Sequence, residues 1–345
     1  MDIETAEAME KPAISIAAYS KDPAALRREL TRGVAVDLED PSGNTALQLV
    51  CSSGNFKYNR DDRADCVKML LEHGAAPNAG LPHNPGHGTV QDSHNWAPLM
   101  HATFGRPYPK VVQMLIAAGG DVNAYIPDTP NPASFLPLSN AVNAVLTSYM
   151  RGEACGLDVV NLLLEAGADP TKRTRRGGWF PLLFAAEQAH TELCAALLAS
   201  SAQADLNLGN TMGLTPLHCA CRSRFPGAVE CVGLLLSRGA SVNARTLGGG
   251  TTPLYIATST RRRRLYPVLL RAGAALPAPG TDQWRRIQRY PEFIYLKKVA
   301  AAGGYRNYER DHLSSLANIF SPKFSCLPPE MVRRVVEYAF DVGGH

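Results

Sequence analysis

The densest set of metal-binding side chains is His83, His87 and His94, with His101 close behind. Imidazoles hold zinc when three or four converge at fixed spacing, commonly with Cys or carboxylate partners. Here Pro and Gly interrupt the spacing and no Cys or carboxylate completes a known ligand frame, so a polar loop is the favoured reading and no metal site is expected. Eight cysteines fall at 51, 66, 155, 194, 219, 221, 231 and 326, with no CxxC pair and mostly within apolar stretches. They read as reduced core thiols rather than as a disulfide or metal framework. The Gly-rich stretch LGGGTTP (247–253) lacks the lysine and the strand–loop–helix context that let a P-loop cradle phosphate. With no nucleophile elbow and no paired carboxylates, no enzyme activity, catalytic residue or cofactor is expected.

What remains for chemistry is arginine. Arg173, Arg175 and Arg176 crowd one loop, Arg222 and Arg224 another, and Arg261, Arg262, Arg263 and Arg264 are consecutive. Guanidinium groups bind carboxylates and phosphates through two parallel donors. The net charge of +4 conceals an asymmetry: residues 1–150 carry 11 basic and 16 acidic side chains, and the remaining 24 and 15 lie in residues 151–345. Such a polarity orients an acidic partner by long-range attraction. The first residues, MDIETAEAMEK, show no basic and apolar leader pattern, and no apolar run is long enough to span a bilayer. A cytoplasmic and/or nuclear protein, neither secreted nor membrane-spanning, is expected.

The elements that position these residues repeat. GLTPLHCACRSRFPGAVECVGLLLSRGASVNAR begins at Gly213 and GTTPLYIATSTRRRRLYPVLLRAGAAL at Gly250. Each reads Gly-x-Thr-Pro-Leu, a short apolar helix, a polar turn, a second apolar helix ending in Leu-Leu, and Gly-Ala. Thr215 and Thr252 are placed to cap a helix whose first turn holds Pro216 or Pro253. Looser copies precede them, and the closing glycine or its equivalent recurs at 33, 74, 119, 167, 201 (serine), 239 and 273. One such unit cannot bury its apolar face alone, so neighbours must stack. The pattern resembles the ankyrin repeat. It implies an all-α solenoid of about seven helix–turn–helix units over 13–280, after an N-terminal tail (1–12) and before a C-terminal helical region (281–345) that caps the stack.

The resemblance further implies a protein–protein interaction scaffold, expected to be a monomer, that binds a partner of unknown identity through its hairpin tips and inner helices. Trp96, Tyr125, Arg173, Arg175, Arg176, Trp179 and Arg245 are the tip candidates, although Trp96, Phe135 and Trp179 equally suit a role in covering the hydrophobic seam. His218 in TPLH is expected to hydrogen-bond structurally, as in the family. LIAAGGDVNA, with Leu115 eight residues before Asn123, resembles the context of asparaginyl hydroxylation. Arg222, Arg224 and Arg261–Arg264 fall on the inter-helix turns, opposite the tips. They form either a solvated turn, an edge for an anion or acidic partner, or an import signal.

After residue 280, Phe293, Ile294, Leu296 and Val299, then Leu313, Leu316, Ile319 and Phe320, recur at helical spacing on either side of Gly303-Gly304. CLPPEMVRRVVEYAF (326–340) resembles the first helix of an F-box, with Leu327, Pro328, Glu330, Val335 and Tyr338 as the matching residues. A SOCS box, with its own Leu-Pro-rich element, is the poorer match. Three readings stand: a plain helical cap, docking of a Skp1-type adaptor that makes the chain a substrate receptor for a cullin ubiquitin ligase, or another partner. Anionic-ligand or nucleic-acid binding by the basic half is a further alternative, with nucleic acid the less favoured.

Overall fold

The computed structural model describes residues 12–52, 60–80, 96–124, 136–152, 156–174, 177–200, 206–278, 280–290, 293–320, 328, 330–332 and 334–336. Every regular element among them is a helix. The chain divides into two compact units, residues 1–185 with 195–204 and residues 186–194 with 205–345.

In the first unit, hairpins pair α1 (Ala13–Ser20) with α2 (Pro23–Thr31), α3 (Ala46–Cys51) with α4 (Arg60–Glu72), α5 (Pro98–Thr103) with α6 (Pro109–Ala117), and α7 (Pro137–Met150) with α8 (Asp158–Glu165). The first helices pack in a row, α1 on α3 on α5 on α7, and the second helices in a parallel row, α2 on α4 on α6 on α8. Leu47, Leu70, Leu99, Leu115 and Leu163 are buried completely at these contacts, so the apolar spacing read in the sequence is the stacking surface. The hairpin of α9 (Pro181–Glu187) and α10 (Thr191–Ala199) carries the boundary between the units.

The second unit repeats the scheme with α11 (Pro216–Arg222), α12 (Ala228–Ser237), α13 (Pro253–Ser259) and α14 (Leu265–Arg271). Here α11 packs on α13 and α12 on α14. Then come α15 (Asp282–Ile287), α16 (Phe293–Ala301) and α17 (Tyr305–Phe320), with the break between the last two at Gly303-Gly304. α15 lies against α13 and α17 against α14, and these helices therefore cover the end of this stack. Ile287, Leu296 and Val299 are buried there, whereas Ile294 and Ile319 face solvent.

Local sequence explains the boundaries. Proline opens α2, α5, α6, α7, α11 and α13, where a missing N–H costs little. Thr252 Oγ1 accepts from the Tyr255 N–H, as its place before Pro253 implies. Ala97, in the equivalent position of α5, makes no such bond. Gly33, Gly74, Gly119, Gly167, Gly239 and Gly273, the closing glycines, all have φ between +78° and +93°. They end their outer helices in the left-handed conformation that glycine adopts without penalty. α7 is the longest of the first helices and continues to Met150.

Candidate protein-binding site

Each repeat exposes two features at opposite ends of its helices: the tip joining one unit to the next, and the turn inside the hairpin. Two tip designs occur. At Asp40–Asn44 and Asn210–Leu214 an Asp or Asn side chain accepts from the backbone N–H groups two and four residues on, while the loop closes backbone to backbone. At Thr174–Trp179 and Thr246–Thr251 a threonine closes a six-residue loop. The Trp179 N–H donates to Thr174 Oγ1 at 3.0 Å, and the Thr251 N–H to Thr246 Oγ1 at 3.0 Å. Neighbouring tips are tied by asparagine. Asn78, Asn123 and Asn243 each donate to the carbonyl of the next closing glycine and accept from a backbone N–H two residues beyond it. Asn123 is one rung of this ladder.

At the helix starts, His218 is completely buried. Its Nδ1 accepts from the Thr215 N–H at 3.2 Å, and its Nε2 lies 3.0 Å from the Thr251 carbonyl as donor. Burial lowers its pKa, with the carbonyl of Thr251 opposing; the imidazole is neutral and structural. Gln48 performs the same function in an earlier unit. Its Oε1 accepts from the Thr45 N–H at 2.7 Å, and its Nε2 donates to the Trp96 carbonyl at 2.8 Å.

The tip candidates separate. Trp96 is 7% exposed, packed with Ala97, Met100 and Ala124 and with its ring beside those of His101 and Phe104. It is buried where neighbouring repeats of the first unit meet and is no exposed anchor. Trp179 is half-buried with its ring centroid 5.0 Å from that of Phe184. Arg173 is exposed, while its neighbours Lys172 and Thr174 have structural partners: Lys172 Nζ donates to the Asn123 carbonyl and Thr174 is buried. Arg245 is exposed and has no ion-pair partner among the described residues. Tyr125, Phe135, Arg175, Arg176, His83, His87 and His94 lie outside the described residues.

A pair that sequence reading missed lies beside Arg245. Met212 and Leu247 are 53% and 70% exposed, on adjoining tips joined by a hydrogen bond from the Leu247 N–H to the Met212 carbonyl (2.9 Å). Arg245 itself lines a groove of about 390 Å³, with Thr252, Leu276, Pro277, Thr281 and Gln283 among its other residues. Single apolar residues in polar loops carry no periodicity, so nothing in the sequence distinguished these two.

Of the inter-helix arginines, Arg222 pairs with Glu187 and stays partly exposed. Arg224, Arg261, Arg263 and Arg264 are exposed and Arg262 is half-buried. In the C-terminal stretch Pro328, Glu330, Met331 and Val335 are exposed and Val332 and Val336 buried, so the helical residues present two different faces. Leu327 and Tyr338 lie outside the described residues. The six described cysteines are free and buried. Burial pushes the Cys51 and Cys219 thiols up to about 12, which suits core packing rather than reactivity. Among the described residues no group of His, Cys, Asp and Glu could hold a metal ion, and no helix is long and apolar enough to cross a membrane.

Stacked helical hairpins with exposed tips and turns define a repeat scaffold for protein–protein interaction. The chain belongs to the ankyrin-repeat family: the family model for ankyrin repeats (3 copies) matches residues 14–126 and 151–246. Similar proteins include the B-cell lymphoma 3 protein homolog of Mus musculus, 37% identical over 123 residues (35% of this chain and 27% of that protein). The E3 ubiquitin-protein ligase KEG of Arabidopsis thaliana is 26% identical over 230 residues (66% and 12%). Human ankyrin repeat and SOCS box protein 16 is 36% identical over 97 residues (28% and 20%). The chain therefore spans about a quarter or less of the length of each of these relatives. Ankyrin repeats are typically non-catalytic interaction modules.

Proposed function

We propose that the chain is a non-catalytic scaffold that grips a protein partner through the tips of its last repeats. The observation that carries this reading is the Met212–Leu247 pair, two large apolar side chains held in solvent on tips that the backbone itself fixes. Exposed apolar side chains, one of them two residues from an unpaired arginine that itself lines a groove, suit the apolar core of an interface, where Met and Arg are enriched. The test is affinity capture with wild type and with a Met212→Ser/Leu247→Ser double variant of unchanged melting temperature. A protein recovered by wild type and lost by the variant supports the reading. Equal recovery by both overturns it.

A second reading, an adaptor of a cullin-type ubiquitin ligase, is favoured by the C-terminal helical residues. Pro328, Glu330, Met331 and Val335 remain exposed although Val332 and Val336 are buried, which leaves an outer face for a Skp1-type adaptor. The names of two relatives, a ubiquitin-protein ligase and a SOCS box protein, run in the same direction. Binding of a purified Skp1-type protein that is lost on Val335→Asp supports it. Failure of the wild-type chain to bind removes it.

A further inference from the structure

At the opposite end of the helices from the tips, the turns 223–227 and 260–264 lie side by side. Thr260 Oγ1, at the start of the second, donates to the Cys221 carbonyl just before the first at 3.4 Å. Arg222 is paired with Glu187, but Arg224, Arg261 and Arg264 are exposed and their guanidinium groups have no hydrogen-bond or ion-pair partner among the described residues. Arg263 is exposed between them.

Arg261 has a further peculiarity. Its φ is +58°, and the Arg261 and Arg262 N–H groups donate to the Thr258 and Ala257 carbonyls at 3.1 and 2.8 Å. This is the left-handed position that closes a helix, where glycine is favoured and an L side chain is strained. Gly105 and Gly152 follow their own first helices with the same left-handed φ. Lys21 and Ala189 also have it, but Lys21 Nζ reaches the Ser52 carbonyl at 3.0 Å and Ala189 is buried in the core, so each contributes something in return. The Arg261 side chain contributes nothing. A locally unfavourable residue with no structural return points to function.

We propose that these two turns form a second binding site, distinct from the tips, for a short peptide segment with clustered anionic groups, either carboxylates or phosphates. The guanidinium groups of Arg224, Arg261 and Arg264 supply the paired donors that such oxyanions take. A short segment fits better than a long polyanion. Glu192 and Glu230, in the first turns of α10 and α12, are exposed near this same edge and would repel a chain of phosphates running past the two turns. The site does not depend on the tip surface, so either can fail alone.

Fluorescence anisotropy with the full chain tests the proposal. The labelled probes are a hexaglutamate peptide, a peptide with two phosphoserines, an uncharged Gly/Ser peptide, and a single-stranded oligonucleotide of the same net charge as the hexaglutamate. The anionic peptides are expected to bind, the uncharged one not at all, and the oligonucleotide more weakly than the peptides. The better of the two peptides identifies the oxyanion. An Arg224→Gln/Arg261→Gly/Arg264→Gln variant is expected to lose about tenfold in affinity, at a few-fold per exposed arginine. Arg238→Gln, which removes an exposed charge at the other end of α12, is expected to bind as wild type does. Arg261→Gly alone is expected to melt no lower than wild type while binding more weakly, which separates lost charge from lost fold. Wild-type affinity in the triple variant, equal binding of the uncharged peptide, an equal loss in Arg238→Gln, or tighter binding of the oligonucleotide would each overturn the assignment.

Discussion

His218 shows how one side chain serves two repeats. It satisfies the Thr215 N–H at the start of its own helix and the Thr251 carbonyl at the start of the next unit, from a fully buried position. His218→Leu would leave the buried Thr215 N–H without a partner and the Thr251 carbonyl with only the Thr246 N–H, and should destabilise the second unit by about 1–3 kcal/mol in urea unfolding. His218→Gln should cost much less, because Gln48 makes the equivalent pair of bonds in its own unit. An equal loss for both variants would refute the bridging role. Titration adds an independent check. Burial lowers the pKa of His218 and of His190 from the ordinary 6.5. Below about pH 6.5 the unfolded chain therefore binds more protons than the folded one. The stability present above that value should be lost as pH falls, and His218→Gln should flatten the decline. A urea midpoint constant from pH 7.5 to 5.5 would count against it.

At the scale of the element, the hairpins are set by punctuation more than by propensity. Gly239 closes α12 at φ +93° with open space where a Cβ would lie, so Gly239→Ala tests backbone strain alone. It should cost about 1–2 kcal/mol, measured by thermal or urea unfolding. A neutral result would mean that the turn relaxes into another conformation. Such punctuation made the repeats legible. The closing glycines at 33, 74, 119, 167, 239 and 273 and the Pro-Leu steps at 98, 137, 181, 216 and 253 mark helix ends that the chain adopts. The site was less legible, because its readability depends on which way a side chain points. Trp96 suited an exposed anchor and a seam cover equally, and it is buried. Arg222 is paired to Glu187, 35 residues away in sequence, through a proximity that only the fold creates. Met212 and Leu247 belong to no period, and only their exposure marks them.

For the molecule as a whole, the last repeat can be stable only if something covers its outer side, since an end unit has one neighbour fewer to bury its apolar face. The helices after residue 280 supply that cover within the second unit. Tyr266 of α14 is 2% exposed and its ring lies on Tyr295 of α16, with centroids 6.1 Å apart. Tyr308 meets Tyr295 edge-on. Arg271 donates twice to Glu309 of α17, and the Tyr305 hydroxyl donates to the same carboxylate. Burial pushes the Tyr295 and Tyr305 phenols up, as rings packed into an interface require. The Arg271–Glu309 pair is partly exposed and worth about 0.5 kcal/mol. The aromatic contacts, each about 0.5–1.5 kcal/mol beyond the area they bury, should dominate. Removing residues 281–345 should therefore reduce hydrogen-exchange protection in α13 and α14 at least tenfold while leaving that of α3 and α5 unchanged. Glu309→Ala should give only a small part of the effect, and Tyr295→Ala most of it. If α13 and α14 keep their protection without the later helices, those helices do not cap the stack. The exposed residues of 328–336 would then be the first place to look for their purpose.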